Sequence, residues 1–507
     1  MSPNNRYMLG VDIGSSNLKC LIVRNDGELI ASESRELKTL YQYPGWSEQD
    51  PDDWYTALAD CCHKIFTTSG IGSIESVCIT AATHTAVLLD ENDKPLRPAI
   101  MWTDQRSIEE SKILNDKYGQ SILDIAYQKA NPTWTLPQFY WLMRHERDVV
   151  EKTRKVMFAK DYLRFKLTGT WETDWIDALG SMMMDARTKE WSSELCDYIG
   201  WPLSTLPPIC SPTTVVGSVL EEAARHTKIP VGIPVVAGAS DTAAEDYGVG
   251  AINPGDGIIK LATAGNTNIM ASEPSVDPLL FNYYHVIPGM WYTVAATSSC
   301  AAVHKWLRDE FFRVESDKFE NSGSTVFAYM DNLAKSIPAG SNGLIFHPYL
   351  MGERTPHWDP LLKGDYLGIS IRHKREHFIK ALYEGISFSL LECYLSLEKR
   401  GLKMEQARLI GGGAKSELWR QTLSDVLGKE TLIPEIDDAS FGAALIGGVG
   451  CGLFSNERDA IDKCTRVKTV IRPNYENHAR YQELFDIFTR SQQLLVEINH
   501  ALHRFNQ

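Results

Sequence analysis

Apolar runs near the N-terminus, broken by small polar turns, predict short β-strands. The segments YMLGVDIG, LKCLIVRN and GELIASES follow one another, and the Asn25-Asp26-Gly27 turn between the last two is typical of a hairpin. We therefore expect the chain to open with a β-meander. Similar patterns predict further strands at SVCITAA, TAVLLD, IPVVAGAS, GIIKLATAGNTNIMAS, GLIFHPYL and ARLIGGGA.

Apolar residues at helical spacing predict the helices. Asp50 and Pro51 are a cap and a first-turn proline, and the apolar spacing that follows continues to about Phe66. Residues 104–228 are mainly helical in character, with one expected β excursion near TWETDWIDALGSMMMD. Three more helices are predicted at HFIKALYEGISFSLLECYLSLEKR, SELWRQTLSDVLG and the amphipathic segment YENHARYQELFDIFTRSQQLLVEINHALH.

The order of these elements indicates an α/β protein with two domains. A chain of 507 residues exceeds the size at which a single hydrophobic core usually keeps growing. The strands that begin at GIIKLATAGNTNIMAS faintly repeat the N-terminal order of strand, small-residue turn and strand. Loop chemistry at NPGDG favours a boundary near this point, and we expect domains at 1–246 and 247–507.

Composition excludes some classes of partner. The formal net charge of -14 disfavours a broad surface for nucleic acid or anionic membrane, because both attract clustered Lys and Arg. No signal peptide or transmembrane stretch is evident, and ten scattered cysteines are typical of reduced, buried thiols. We therefore expect a cytoplasmic protein without nucleic-acid or membrane partners.

A small-residue turn after the first strand is a candidate phosphate site. Gly14, Ser15 and Ser16 would let backbone N–H groups and hydroxyls approach a phosphate, with Lys19 close by in the next strand. Asp12 could hold a hydrated Mg²⁺. An ordinary hairpin turn explains the same pattern equally well.

A carboxylate at the end of an apolar strand is a candidate general base. Asp241 ends the run Gly238-Ala239-Ser240-Asp241, where it could accept the proton of an alcohol that attacks a phosphoryl group. Thr242 replaces the second glycine that a hydrolase nucleophile elbow requires. For Asp241 taken alone, a helix cap is the favoured explanation.

Two glycine-containing turns in the second half are candidate nucleotide sites. The segment from Ala262 to Gly265, with Thr263, occupies the turn that matches the one after the first strand. Gly411-Gly412-Gly413-Ala414 ends a strand before a helix, so that a flat ring could lie against bare backbone. Each is also explained by a chance glycine turn.

Polar residues at strand ends beside an indole are candidates for binding a polyol. Thr83 and His84 follow SVCITAA, and Trp102, Asp104 and Arg106 occur in the segment WTDQR. The structural alternatives are that His84 packs in the core, that Asp104 caps a helix, and that Arg106 pairs with Asp104.

Taken in order, these motifs resemble the FGGY carbohydrate kinase family over nearly the full chain. Its xylulokinase members are the most similar, through PGWSEQDPDDW, LRPAIMWTDQR, KDYLRFKLTGTWETDWIDA, LMGERTPH and LIGGGAKSELWRQTLSDVLG. GASD, GLIFHPYL and HKREHFIKAL also resemble the FGGY gluconokinases. The resemblance implies two actin-like (ribonuclease-H-like) domains with a central nucleotide and sugar cleft, with ATP and Mg²⁺ as cofactors.

The resemblance also implies roles for individual residues. Asp241 corresponds to the catalytic base, the turn of Gly14 and Ser15 with Asp12 to the first phosphate and Mg²⁺ site, and Thr83 and His84 to the pair that meets the sugar. Thr263 and Gly265 correspond to the second phosphate site, and Gly411 to Ala414 to the adenosine site.

Four segments depart from the xylulokinase pattern. Ala82-Thr83-His84-Thr85 stands where Gln-Met-His-Gly is usual, and Asp241-Thr242 stands where Asp-Asn is usual; the loss of an amide side chain at Ala82 and at Thr242 puts D-xylulose itself in question. Gln138 stands where the family has lysine, and Ala262 where it has the first glycine of Gly-Thr-Ser-Gly.

The sequence therefore predicts an ATP-dependent kinase of a small sugar, with a pentulose such as D-xylulose favoured. Gluconate, another pentulose or a polyol is the nearest alternative substrate. An ATP-driven conformational protein without a sugar acceptor, and a catalytically silent family member, are alternatives of a different kind. A homodimer is expected by resemblance alone.

Overall fold

The computed structural model describes residues 5–319 and 325–505, which form two compact units. The first unit contains the described residues up to Ile252, together with Ser272–Tyr292 and Ile436–Arg466. The second contains Asn253–Ala271, Thr293–Glu435 and the described residues from Val467 onward. The first unit is thus assembled from three separate stretches of chain. The consecutive domains 1–246 and 247–507 stay a prediction.

The described residues up to Ile252 contain strands and helices in the following order: β1 (Tyr7–Ile13), β2 (Asn17–Arg24), β3 (Leu29–Glu36), β4 (Glu48–Gln49), α1 (Pro51–Ser69), β5 (Ser76–Ala81), β6 (Ala86–Leu89), β7 (Ala99–Ile100), α2 (Ile108–Ala126), α3 (Thr135–His145), α4 (Arg147–Lys152), β8 (Lys155–Phe158), α5 (Ala159–Thr168), β9 (Thr173–Asp174), α6 (Trp175–Gly180), β10 (Met184–Asp185), β11 (Glu190–Trp191), α7 (Ser193–Ile199), β12 (Ile209–Cys210), β13 (Val215–Ser218), α8 (Glu221–Thr227), β14 (Pro234–Val236) and α9 (Asp241–Gly248).

The described residues after Ile252 contain the following elements: β15 (Asp256–Leu261), β16 (Gly265–Ala271), β17 (Phe281–Tyr284), β18 (Trp291–Thr297), α10 (Ala301–Phe311), α11 (Arg313–Phe319), α12 (Val326–Ala334), β19 (Ile345–His347), β20 (Asp365–Leu367), α13 (Arg375–Glu398), β21 (Gln406–Ile410), α14 (Glu417–Leu427), β22 (Thr431–Pro434), α15 (Ala439–Gly450), α16 (Glu457–Cys464), β23 (Val467–Ile471) and α17 (Tyr475–His503). Among the described residues, no helix combines the length and the apolar character needed to cross a membrane.

The central sheet of the first unit has the strand order β13-β14-β5-β1-β2-β3. Strands β1, β2 and β3 are antiparallel neighbours, which confirms the predicted β-meander. Strand β1 is parallel to β5, and β5 is parallel to β14. The carboxyl ends of three parallel strands therefore meet at one edge of this sheet.

The second unit has the same strand pattern. Its order is β18-β16-β15-β21-β22-β23, in which β15 is antiparallel to β16 and parallel to β21. Strand β21 is parallel to β22, and β23 closes the edge in the antiparallel sense, as β13 does in the first unit. The faint internal repeat in the sequence thus reflects a repeated sheet topology.

Helix α1 shows how an amphipathic segment completes the core of the first unit. Asp50 Oδ1 accepts a hydrogen bond from the Asp52 N–H at 3.0 Å and caps the helix, as its sequence position predicts. The buried face, which includes Trp54, belongs to the same apolar cluster as Leu9 and Val11 of β1. The helix ends at Ser69, three residues beyond the predicted end.

The predicted β excursion in TWETDWIDALGSMMMD is wrong for its central residues, which form helix α6. The reason is local, because Asp174 Oδ1 accepts hydrogen bonds from the N–H groups of Ile176 at 2.7 Å and Asp177 at 3.3 Å. This cap starts a helix between two strands of only two residues each, β9 and β10.

Helix α15, which the sequence analysis did not predict, packs against β1 and α9. Its segment ASFGAALIGGVG combines small residues with four glycines, a composition with low helix propensity. Close packing explains the glycines: a Cβ at Gly10 of β1 would lie 1.9 Å from the Ser440 carbonyl oxygen, and one at Gly442 would lie 1.8 Å from the Ala244 carbonyl oxygen.

Candidate active site

The predicted site residues of the first unit lie at the carboxyl ends of its parallel strands. Ala81, at the end of β5, pairs with the last residue of β1 and forms a bridge with Ser240. Asp12 is the next-to-last residue of β1, the loop that carries Thr83 follows β5, and Asp241 follows Ser240. All three therefore lie at the same edge of the sheet. Strand ends of this kind are where open α/β sheets bind ligands.

The turn between β1 and β2 combines small residues with hydrogen bonds to both the side chain and the carbonyl of Ser15. The Ser15 hydroxyl accepts from the Trp102 indole N–H at 2.8 Å, and the Ser15 carbonyl accepts from the Gln49 amide at 2.7 Å. Gly14 is half-buried, and Ser16 is exposed. The turn is therefore anchored by its backbone and has a serine open to solvent.

The two charged residues beside this turn differ in their surroundings. Asp12 is half-buried, and a Cβ placed at Gly14 would lie 3.8 Å from its Oδ2. Lys19 forms an ion pair with Asp438, whose Oδ1 also accepts from the Ser440 N–H at 2.9 Å and caps α15. Lys19 thus connects the hairpin of β1 and β2 to the start of α15 through an ion pair. The sequence did not predict this contact.

Asp241 is the first residue of α9. Ser240 caps the helix by accepting from the Ala243 N–H at 3.4 Å. The preceding glycine is required, because Gly238 has a φ of +81° and a Cβ there would lie 2.1 Å from the Ile79 carbonyl oxygen. The helix cap considered for Asp241 is therefore Ser240, and Asp241 lies in the first turn of the helix.

The surroundings of Asp241 favour its charged form. Its Oδ1 accepts from the Thr242 N–H at 2.6 Å, and the N-terminal end of a helix stabilises a negative charge. Burial raises the pKa of the Tyr283 hydroxyl, and the charge of Asp241 acts in the same direction. Tyr283 thus remains a neutral phenol within electrostatic reach of the carboxylate.

His84 is held in an unusual backbone conformation close to half-buried Thr83. It has a φ of +56°, its N–H donates to Asp177 Oδ1 at 3.4 Å, and its carbonyl accepts from the Thr135 hydroxyl at 2.7 Å. The side chain is buried, and its Nδ1 has no hydrogen-bond partner among the described residues. Burial lowers the pKa of His84 to about 3, so the imidazole is neutral.

An aromatic stack positions the His84 ring. The Trp134 ring lies between His84, at 4.9 Å between centroids, and Phe281, at 5.0 Å. The Trp134 indole donates to Gln128 Oε1 at 3.0 Å, and the Gln128 amide donates to the Asn282 carbonyl at 3.0 Å. This stack was not predictable from the sequence, because its members are far apart in the chain.

The segment around Trp102 divides into exposed and buried parts. Arg106 donates twice to Asp104, at 2.9 and 2.8 Å, forms an ion pair with Glu48 at 2.8 Å, and lies 3.7 Å from the Trp46 ring. The Arg106 side chain is 1% exposed and that of Asp104 is 0% exposed. The alternative in which Arg106 pairs with Asp104 therefore describes this geometry. Contacts of Arg106 or Asp104 with the sugar stay a prediction. Trp102 is 40% exposed.

In the second unit, Thr263 lies in the turn between β15 and β16. Its side chain is exposed, and its carbonyl accepts from the Ala302 N–H at 3.1 Å in the first turn of α10. Gly265 is buried, and a Cβ there would lie 2.9 Å from Thr297 Cγ2. The turn is therefore packed tightly beneath its exposed tip.

The glycine segment after β21 leaves one stretch of backbone open. Gly411 has a φ of +88°, and a Cβ at Gly413 would lie 2.7 Å from Trp419 Cζ3. Gly412 is exposed, and a Cβ there would meet no atom within 4 Å. Ala414 is buried. The backbone at Gly412 is thus open, and its contact with a nucleotide base stays a prediction.

Comparison with known proteins identifies the family. Residues 7–248 match the model of the N-terminal domain of the FGGY family of carbohydrate kinases, and residues 256–451 match its C-terminal domain. The chain belongs to the FGGY family. It is 33% identical to the xylulose kinase of Lactococcus lactis over 99% of both chains, and 28% identical to the gluconokinase of Bacillus subtilis over 96% of both.

A solved FGGY structure agrees with the fold of the chain. The crystal structure of xylulose kinase from Rhodospirillum rubrum has a TM-score of 0.89 at 27% identity, and the match covers 98% of this chain and 100% of that one. The predicted fold class, with two actin-like domains, is confirmed. The protein is an ATP-dependent sugar kinase, and its substrates are a sugar and ATP.

Proposed function

We propose that the protein transfers the γ-phosphoryl group of ATP to a hydroxyl of a pentulose such as D-xylulose. The observation that carries this proposal is that Asp241 and the pair of Thr83 and His84 follow neighbouring strand ends of one sheet. The named activity of the relative from Lactococcus lactis supports the choice of sugar.

In the proposed mechanism Asp241 accepts the proton of the sugar hydroxyl. The hydroxyl oxygen forms a bond to the γ-phosphorus as the bond to the bridging oxygen breaks, and ADP leaves with that electron pair. Asp241 lies in the first turn of α9, where the helix end stabilises a negative charge on the carboxylate. Neutral His84 offers Nδ1, and half-buried Thr83 a hydroxyl, to the polar groups of the sugar.

Mg²⁺ fits the residues near the β1–β2 turn. Mg²⁺ is usually held by one or two carboxylates together with water and substrate phosphates. A cluster of three metal-ligating side chains is therefore not needed, and residues 5–319 and 325–505 contain none. We propose that Asp12 holds it through water, next to the N–H groups and hydroxyls of Ser15 and Ser16. When bound, the ion neutralises charge on the transferred phosphoryl group.

In the second unit, the proposed nucleotide-binding residues lie at two turns. Thr263 offers an exposed hydroxyl at a tight turn, and Gly265 permits the close packing of that turn. The open backbone at Gly412 is suited to the flat face of adenine.

The charges of the proposed sugar site favour a neutral acceptor over gluconate. A carboxylate substrate would require a cationic partner, and Arg106 is already paired with Asp104 and Glu48. His84, with its pKa lowered to about 3, is neutral. A ketose hydroxyl needs only hydrogen-bonding partners of the kind that Thr83 and His84 provide.

We therefore expect D-xylulose to give a kcat/KM at least tenfold above that of gluconate, a difference of about 1.4 kcal/mol in transition-state binding. The measurement is ADP release with ATP across D-xylulose, L-xylulose, D-ribulose, L-ribulose, gluconate and simple polyols, with and without Mg²⁺. Preference for gluconate would overturn the pentulose assignment, and ADP release that no acceptor stimulates would overturn the acceptor site.

Replacement of Gly412 by valine tests the nucleotide site. We expect the KM for ATP to rise by roughly tenfold, because branched carbons would cover the backbone on which the base rests. The KM for the sugar and the thermal midpoint should not change, since the position is open. Gly72→Val is the matched control, because Gly72 is also exposed and has no atom within 4 Å of an added Cβ. An unchanged KM for ATP in Gly412→Val would place the base elsewhere.

A cytoplasmic location and a homodimer also belong to the proposal. All ten cysteines are free thiols, and most of them are buried, which supports a reducing compartment. The homodimer rests on the family resemblance, and light scattering of the purified protein measures it directly.

A further inference from the structure

Helix α6 packs directly against the loop that carries Thr83 and His84. A Cβ at Gly180, the last residue of the helix, would lie 2.4 Å from Thr83 Cγ2, 3.6 Å from Tyr283 Cε1 and 3.9 Å from His84 Cδ2. Any larger residue at this position must displace Thr83, because a contact under 3 Å cannot be accommodated. Gly180 therefore sets how closely the loop approaches the helix.

The first turn of the same helix holds the His84 backbone. Asp177 Oδ1 accepts from the His84 N–H at 3.4 Å, and the Asp177 side chain is 2% exposed. A non-glycine residue with a φ of +56° is uncommon and must be held by its surroundings. Asp177 and Gly180 thus contact the two neighbouring residues of the loop from opposite ends of α6.

A buried charge cluster fixes α6 in place. Lys160 of α5 lies 2.6 Å from Asp161, 2.7 Å from Asp174 and 3.1 Å from Asp177, and its side chain is 0% exposed. Arg164 lies 3.0 Å from Asp161. Three carboxylates thus share two cations. Removal of either cation would therefore leave buried carboxylates without compensation, which holds Lys160 and Arg164 in place.

The charge of Asp177 depends on pH in the neutral range. Burial raises the pKa of Asp177 to about 7, and the charges of Asp174 and Asp161 act in the same direction while Lys160 opposes them. Two further groups lie in this region: burial keeps His84 uncharged, and burial raises the pKa of the Tyr283 hydroxyl, on which the charges of Asp241 and Asp177 act in the same direction.

We infer that Asp177 and Gly180 are positioning residues for the sugar, which act by fixing His84 and Thr83 from beneath. This inference rests on the proposed sugar site at Thr83 and His84. In this role α6 supports the loop that carries Thr83 and His84. Displacement of α6 should change the affinity for the sugar and leave the affinity for the nucleotide unchanged. The His84 N–H bonds more strongly to a charged Asp177 carboxylate than to the neutral acid. Asp177 should therefore hold His84 best above neutral pH.

The first test is Gly180→Ala. We expect the KM for the preferred sugar to rise by roughly tenfold or more, because displacement of a binding group by a fraction of an ångström weakens its contacts. The KM for ATP should be unchanged. The matched control is Gly119→Ala in α2, where an added Cβ would meet only Asn115 Cβ at 4.0 Å. An unchanged sugar KM in a folded Gly180→Ala protein would overturn the role of Gly180.

The second test is Asp177→Asn across pH 5.5 to 8.5. For the unaltered protein we expect the sugar KM to rise by about fivefold as pH falls through 7. For Asp177→Asn we expect the higher KM at all pH values, with the KM for ATP unaffected. The control is Asp161→Asn, which keeps the contact with His84: its sugar KM above pH 8 should be unaltered, and its transition should move to lower pH, because a neighbouring negative charge is removed.

The outcomes separate this inference from the proposed function. If no pentulose stimulates ADP release by the unaltered protein, the proposed function fails first. If D-xylulose is phosphorylated and Asp177→Asn keeps a pH-dependent KM, the positioning role of Asp177 is wrong. Thermal midpoints of all variants show whether a loss reflects unfolding. Should Asp177→Asn not fold, Asp177→Glu must still show a raised sugar KM with an unchanged KM for ATP.

Discussion

Replacement of Asp241 by asparagine is expected to lower kcat by about 10³-fold, the usual contribution of a positioned general base. Asparagine keeps the size of the side chain and the acceptor for the Thr242 N–H, but it cannot take a proton from the sugar hydroxyl. The KM for ATP should change little. Steady-state ADP release with saturating D-xylulose and ATP measures the effect.

A matched control separates chemistry from the loss of charge at a helix end. Asp148→Asn removes a carboxylate from the first turn of α4, where the side chain is exposed, so it should leave kcat unaltered. Turnover by Asp241→Asn within tenfold of the unaltered protein would show that another group accepts the proton.

Replacement of Gly442 by alanine is expected to lower the free energy of unfolding by roughly 3 kcal/mol, because the new Cβ forces two closely packed segments apart. The Cβ would lie 1.8 Å from the Ala244 carbonyl oxygen of α9. Alanine gains about 1 kcal/mol of helix propensity over glycine, which is too little to compensate. Calorimetry should show a fall in the thermal midpoint of about 3 to 5 °C.

The opposite sign is expected for Gly119→Ala. This residue also lies within a helix, but its added Cβ would meet only Asn115 Cβ at 4.0 Å. The gain in propensity is then unopposed, and stability should rise by up to about 1 kcal/mol. If both substitutions raise the midpoint, the close approach of α15 to α9 is not as tight as the structure has it.

Local patterns were sufficient wherever a single segment carries its own signal. The β-meander of β1 to β3 follows from apolar runs and a hairpin turn, and the cap at Asp50 starts α1. The expected β excursion was wrong for the residues of α6, because the pattern of small and apolar residues gave no sign of the cap at Asp174. The Asp174 side chain accepts from the N–H groups of Ile176 and Asp177, which a strand would need for its own hydrogen bonds.

The residues of the candidate site were predicted more completely than their surroundings. Asp241 and His84 were singled out from their positions after strands, and the structure places both segments at one sheet edge. Partners from distant segments were not predictable. Lys19 contacts Asp438 across more than four hundred residues, and the indole of Trp134 lies between His84 and Phe281.

The sequence by itself determined the class of fold, the strand-end motifs and the family, because these depend on periodicity and on short segments in a fixed order. Only the tertiary structure decided what holds those motifs in place. The return of α15 to the first unit, the approach of Gly180 to Thr83, and the contact of Asp177 with His84 all join segments far apart in the chain. Contacts of this kind arise from packing in three dimensions, and the spacing of residues along one segment does not predict them.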